Sequence, residues 1–243
     1  MGSYLITGTR RGIGRALAER LTGAGHRVYG IVRPGSSGMD DPGPDDPAPE
    51  LAGQVELDLA EVADYPAALA PLLTTLAELD GLVHCAGIVR PGRLADAPPA
   101  DFTDQFAVNV LAAIELVRHW LPALRAAAGT VVLVNSGSGL NARPPLASYG
   151  VSKFALRGYA EVLRQEEPAL RVCTIYPGRT ATDMQRTVRT AEAGDYRSEH
   201  YLRPETVAAV IDSVLGLPAD ATITDLTLRP VGQPGPSSPD VHP

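Results

Sequence analysis

Short apolar runs alternate along this chain with longer segments in which apolar residues recur every three or four positions. The runs are SYLIT (3–7), HRVYGIV (26–32), QVELDL (54–59), GLVHCAG (81–87), GTVVLVNS (129–136) and RVCTIYP (171–177). Runs of this length, rich in Val, Ile and Tyr and separated by helical periods, predict βαβ units around a parallel sheet. After the first run Ile13, Leu17 and Leu21 mark the apolar stripe of a helix, and Gly23 and Gly25 close it. The expected fold is α/β, a single doubly wound parallel sheet of Rossmann-like type.

Two segments break the alternation. Residues 34–50 hold five prolines and four aspartates, which forbids the usual crossover helix and predicts a long loop. Residues 229–243 hold five more prolines, and 231–243 reads as a flexible tail. That leaves residues 1–230 as one domain.

Composition narrows the partners more than the fold. A chain of 243 residues that is 44% hydrophobic can bury a substantial core. Its net charge of -7 and scattered basic residues argue against nucleic acid and anionic membranes, and point to small molecules and other subunits. Cys85 and Cys173 form no CxxC, so two unpaired buried thiols in a reducing compartment, the cytoplasm, are expected. No leader precedes the first run, and no apolar run approaches the ~18 residues of a membrane span. Five scattered histidines without acidic or thiol partners at ligand spacing predict no metal site.

The turn after the first run reads TGTRRGIG, Thr7–Gly14. Its spacing, Gly8, Gly12 and Gly14, differs from the common GxGxxG fingerprint, so position decides its meaning. A strand precedes it and a helix follows, whose N-terminus offers unpaired N–H groups and a positive dipole end to a pyrophosphate. A dinucleotide with a free ribose 2′-hydroxyl calls for an acidic residue at the end of the second strand. Arg33 stands there instead. With Arg10 and Arg11 it can fork onto a 2′-phosphate, which selects NADP(H) over NAD(H).

Proton-handling groups gather in the second half. Tyr149 and Lys153 are four apart on a helical run and share one face. A tyrosine near pKa ~10 is a poor acid or base at neutral pH, and a nearby ammonium favours its phenolate. Ser136 ends a strand 13 residues before Tyr149, at the edge where open α/β sheets bind ligands. Asn109 lies among apolar helical positions, where an amide must find partners or cost ~1–3 kcal/mol.

TGTRRGIG, HCAG at 84–87, Asn109, Ser136, YGVSK at 149–153 and PGRTAT at 177–182, in this order, resemble the classical short-chain dehydrogenase/reductase family across roughly residues 3–230. The resemblance implies that Tyr149 is the general acid/base, that Lys153 lowers its pKa and holds the nicotinamide ribose, and that Ser136 orients the substrate oxygen. It further implies a water relay through Asn109 to Lys153, a cofactor loop of Gly8, Gly12, Ile13 and Gly14, and an adenine flanked by Asp58 and Leu59. Ala86 and Gly87 would sit beside the cofactor, while Thr180 and Thr182, after Pro177 and Gly178, would hold the carboxamide. The family's usual Asn-Asn-Ala-Gly is His84-Cys85-Ala86-Gly87 here, and His84 is expected to be structural.

The reading is an NADP(H)-dependent oxidoreductase that interconverts a ketone or aldehyde and an alcohol. An epimerase or dehydratase would use the same pocket but usually carries a longer C-terminal region than the ~65 residues after Pro177. A non-catalytic cofactor sensor need not keep Ser136, Tyr149 and Lys153. Residues 179–205 are expected to form a lid over the substrate. Apolar residues on more than one helix face, Trp120, Phe154 and Leu156, predict a homodimer or homotetramer.

Overall fold

Six strands form where the apolar runs stand: β1 (Ser3–Thr7), β2 (Arg27–Val32), β3 (Gly53–Glu56), β4 (Gly81–His84), β5 (Thr130–Val134) and β6 (Arg171–Pro177). A seventh, β7 (Asp225–Leu228), extends the sheet beyond the predicted set. In the computed structural model, which describes residues 1–35 and 49–232, all neighbours pair in parallel in the order β3-β2-β1-β4-β5-β6-β7. Most of the 34–50 segment and all but two residues of the 231–243 tail lie outside the described residues. The third strand stops short of Leu59 because the chain turns at Asp58, whose carboxylate accepts a hydrogen bond from Ala60 N at 3.0 Å.

Side chains alternate across the sheet with the period of two that a strand imposes. Leu5, Tyr29, Ile31, Leu82, Val131 and Leu133 face one core with helices α2 (Tyr65–Thr75), α4 (Ala112–Ala126) and α5 (Ala147–Glu166). Tyr4, Ile6, Val28, Val83, Val132 and Val134 face the other, under α1 (Gly12–Gly23) and α7 (Pro204–Leu215). Burial on both faces explains why the strands read as continuous apolar runs. Helix α1 ends as expected, with Gly25 N bonded to Thr22 O at 2.9 Å and His26 N to Leu21 O at 3.0 Å.

Two expectations need correction. Trp120 and Leu156 are fully buried in the first core, so they belong to this chain's own packing and not to a free face; Phe154 is exposed. The second concerns apolar length. α3 (Pro99–Phe106), a π turn at 107–111 and α4 form one stretch, Pro99–Ala126, long and apolar enough by length and composition to cross a membrane. Its apolar face, including Ala112, Leu116 and Trp120, packs on the sheet, so core burial accounts for the composition.

Strand order reverses between β1 and β4, and the crevice outside their carboxyl ends is where doubly wound sheets take ligands. The glycine turn, the 84–87 segment and Ser136 all leave the sheet at that edge.

Candidate active site

A cavity of about 920 Å³ opens at the carboxyl edge. Every candidate read from the sequence lines it except Asn109: Gly8, Gly12 and Gly14 of the cradle with Arg10, Arg11 and Ile13, then Arg33, Asp58 and Leu59. Ala86 and Gly87, Ser136, Tyr149 and Lys153, and Pro177, Gly178, Thr180 and Thr182 complete the wall.

The cradle depends on missing side chains. A Cβ on Gly14 would stand 2.3 Å from Gly8 O, so the first turn of α1 can approach the strand end only as glycine. Gly8 and Gly12 hold φ of +76° and +58°, left-handed values that strain other residues. No acidic residue occupies the first turn of α1 and no side chain caps it, so its N-terminal N–H groups stay available to an anion.

Each arginine of the predicted trio faces a carboxylate. Arg10 pairs with Glu56 at 2.8 Å, Arg33, the residue after β2, with Asp58 at 3.2 Å, and Arg11 with Asp183 of the lid at 3.2 Å. Asp58 and Glu56 thus serve as counter-charges, which the sequence reading had not foreseen.

At the centre, Lys153 is buried and its Nζ donates to Val134 O at 3.0 Å, 5.8 Å from the centroid of the Tyr149 ring. Burial pushes Lys153 down to about 8, opposed by Cys85, whose own thiol burial pushes up to about 12. Burial likewise pushes Tyr149 up to about 12, and a hydrogen bond with Ser136 opposes it. The expected lowering of Tyr149 by Lys153 is not found: burial raises the phenol, and the opposing cause is Ser136. Ser136 also caps the following turn, its Oγ accepting from Ser138 N at 3.1 Å. Around Tyr149 stand Val89, Leu146, Val188 and Met184, and its hydroxyl donates to Met184 Sδ at 3.9 Å.

Asn109 sits in the π turn, fully buried and outside the cavity wall. Its Oδ1 accepts from Ile88 N at 2.8 Å, and its Nδ2 donates to Ile88 O and Ser152 Oγ, each at 3.0 Å. The side chain braces the segment after β4 against α5. Thr180 Oγ1 donates to Gly178 O at 3.1 Å, while Thr182 caps α6 (Asp183–Ala191). The segment expected to be a lid is helical over Asp183–Ala191, where only a loop was expected, and Glu192, just after that helix, pairs with Arg179 before it at 2.8 Å and with Arg189 in its last turn at 2.6 Å. Among the described residues no group of three or more His, Cys, Asp or Glu is arranged to hold a metal.

The family model for short chain dehydrogenases matches residues 3–193. The chain belongs to this family. It is 29% identical over 238 residues to an uncharacterized short-chain type dehydrogenase/reductase of Sinorhizobium fredii, spanning 94% of this chain and 91% of that one. It is 33% identical over 186 residues to the 2,3-dihydro-2,3-dihydroxybenzoate dehydrogenase of Escherichia coli, 75% of this chain and 71% of that protein. In fold it is similar to an alcohol dehydrogenase from the archaeon Thermococcus sibiricus, solved in complex with 5-hydroxy-NADP, with a TM-score of 0.82 at 23% identity, covering 97% and 99% of the two chains.

This short chain dehydrogenase carries site residues that its sequence did not announce. Asn135, next to Ser136, donates from Nδ2 to Lys153 O at 3.0 Å and accepts from Ser136 N at 2.8 Å, fixing β5 to α5. Its signal was a polar residue ending a buried strand. His84 is fully buried with Nδ1 3.2 Å from Thr7 Oγ1, and Thr7 Oγ1 in turn accepts from Ala86 N at 2.9 Å.

Burial, and then the charge of Lys153, push His84 down to about 3 from its usual 6.5. Between those values the unfolded chain binds a proton that the folded one refuses, so stability is complete above pH 6.5 and falls as pH drops. Urea unfolding at pH 7 and pH 5 should show a loss of about 2 kcal/mol attributable to this group. His84→Asn should lose that part of the slope, and an unchanged slope would show that another group sets it.

Proposed function

We propose that the protein is an NADP(H)-dependent oxidoreductase interconverting a carbonyl and an alcohol, with Tyr149 as general acid/base. The observation that carries this reading is one cavity lined by both the glycine cradle and the set Ser136, Tyr149 and Lys153. A side-chain-free cradle at an uncapped helix N-terminus fits a pyrophosphate. When bound, the nicotinamide cofactor supplies or accepts the hydride at the substrate carbon.

The remaining chemistry belongs to the chain. At neutral pH the Tyr149 phenol is protonated, because burial holds it near 12. It is therefore poised to donate to the oxygen of a carbonyl as that carbon is reduced, and Ser136 Oγ is the neighbouring donor that orients the oxygen. Lys153, held near 8, remains mostly cationic and favours the phenolate once the proton has left. The apolar wall of Leu146, Met184 and Val188 suits a substrate with a hydrophobic flank. Asp58 and Leu59 would flank the adenine, Ala86 and Gly87 would lie beside the cofactor, and Thr180 with Thr182 would meet the carboxamide.

The preference for NADP(H) follows from weighing charges. The pairs Arg10–Glu56 and Arg33–Asp58 are partly exposed, and such pairs contribute about 0–1 kcal/mol. A 2′-phosphate, with more negative charge and more acceptor oxygens than either carboxylate, offers bidentate bonds to the same guanidinium groups and would displace the carboxylates. The complex of the Thermococcus sibiricus relative with 5-hydroxy-NADP supports the same assignment. Calorimetric titration should give NADPH a dissociation constant at least ~10-fold below that of NADH, and Arg33→Asp should narrow or invert the ratio. Equal constants in the wild type would overturn the preference.

On a carbonyl compound that the wild type reduces, Tyr149→Phe should bind NADPH normally and lose turnover by ~10² or more. Near-full activity in that variant would overturn the catalytic assignment.

We also infer a homodimer or homotetramer. Val151, Phe154 and Val162 form an exposed apolar stripe on α5, and Leu111 is exposed at the start of α4. Sedimentation at micromolar concentration should give a multiple of 25.5 kDa, and a species of that mass alone would refute it.

A further inference from the structure

Two buried polar rungs join the α3–α4 stretch to α5, and the sequence disclosed only Asn109 of the first. Gln105 and Asn109 stand four apart on one side, Ser148 and Ser152 four apart on the other, and all four are fully buried. Asn109 Nδ2 donates to Ser152 Oγ at 3.0 Å, and Gln105 Nε2 donates to Ser148 Oγ at 2.5 Å. Each amide oxygen turns to the chain leaving β4: Asn109 Oδ1 accepts from Ile88 N at 2.8 Å and Gln105 Oε1 from Arg90 N at 3.0 Å. Ser148 Oγ closes the second rung by donating to Arg90 O at 3.4 Å.

The spacing explains why both rungs can form. Four helical residues advance about 6 Å and two extended residues about 6.6 Å, so amides at i and i+4 meet N–H groups at j and j+2 in register. On α5 the rungs end at the residues immediately before Tyr149 and Lys153. Each rung therefore links the helix turn that carries one of the two groups to the chain leaving β4.

We propose that Gln105 is a positioning residue: through Ser148 and the Arg90 backbone it holds the Tyr149 end of α5 in place for proton transfer, as Asn109 and Ser152 hold the Lys153 end. This rests on the reading of Tyr149 and Lys153 given above. Gln105 touches neither substrate nor cofactor in it. Its loss would let the phenol shift relative to Ser136 while the cofactor cradle, built from β1 and α1, stays intact.

The test uses NADPH and a carbonyl compound that the wild type reduces. Gln105→Met keeps the length and removes all three amide bonds, those to Arg90 N, Ser148 Oγ and, within its own helix, Asp101 O at 2.9 Å, so kcat should fall ~10-fold or more while the NADPH dissociation constant and the substrate KM stay within ~2-fold. Gln105→Glu keeps an acceptor for Arg90 N–H but replaces the donor to Ser148 Oγ and Asp101 O with a buried carboxylate oxygen, so it should not restore the lost rate. Ser148→Ala should slow turnover similarly, and the double variant Gln105→Met, Ser148→Ala should be no slower than the slower single one, because both residues act through one connected set of bonds. A folded Gln105→Met with wild-type kcat, or losses that multiply in the double variant, would overturn the proposal. If Gln105→Met fails to fold, a wild-type kcat in Ser148→Ala would overturn it alone. Tyr149→Phe, measured beside them, separates the two failures: activity kept there sinks the catalytic reading, whereas activity lost there and kept in the rung variants sinks only the rung.

Discussion

A buried ammonium group sets the terms for the rest of this molecule. Lys153 is 3% exposed, and an ion taken out of water costs several kcal/mol unless it is given partners. Its Nζ meets Val134 O at the end of β5, its own carbonyl accepts from Asn135, and these contacts bind α5 to the sheet within a narrow tolerance. A Cβ on Gly139 would stand 2.4 Å from Asn135 Oδ1 and 2.9 Å from Lys153 O, so the loop between them closes only over glycine. Tyr149, one turn earlier on the same helix, takes its position from this anchoring.

The legible part of the fold was the part written in local periods. Alternating runs gave six of the seven strands, and TGTRRGIG with YGVSK located both ends of the cavity because each is a contiguous stretch with a mechanical meaning. What the sequence hid depends on pairing across distance. Gln105 meets Arg90 and Ser148 over 15 and 43 residues, and nothing in the local pattern of a polar residue on a helix distinguishes that from a solvated one. Trp120 misled for the same reason: an apolar residue on a second helix face is indistinguishable, without the neighbouring strand, from one awaiting another subunit. The short β7, half exposed, carries too few apolar positions to stand out.

Charge at the adenosine end follows a similar logic. Three arginines within reach of one cavity would repel each other across it, and Glu56, Asp58 and Asp183 relieve that repulsion. Because the pairs are exposed they hold the guanidinium groups in place at little energetic cost to an incoming phosphate. The Arg11–Asp183 pair also ties the glycine turn to the first residue of α6, so these charges link the two sides of the cavity mouth.

The dryness of the substrate end and the acidity of its tyrosine are one property. Val89, Leu146 and Val188 pack around Tyr149, and the burial they produce is the largest cause of its raised pKa, ahead of the Ser136 bond that opposes it. A more polar wall would lower that pKa and weaken the phenol's hold on its proton at neutral pH, while admitting water that competes with a carbonyl for the same donor. The raised pKa keeps the phenol neutral but makes it the weaker acid, so in the function proposed above its proton would leave only as negative charge develops on the acceptor oxygen. Lys153 is shifted the other way by the same burial: lowered to about 8 yet still mostly charged at pH 7, it would favour a phenolate beside it in the function proposed above. The two shifts run in opposite directions from a shared cause, burial, and leave a neutral phenol and a cationic ammonium group close together at neutral pH.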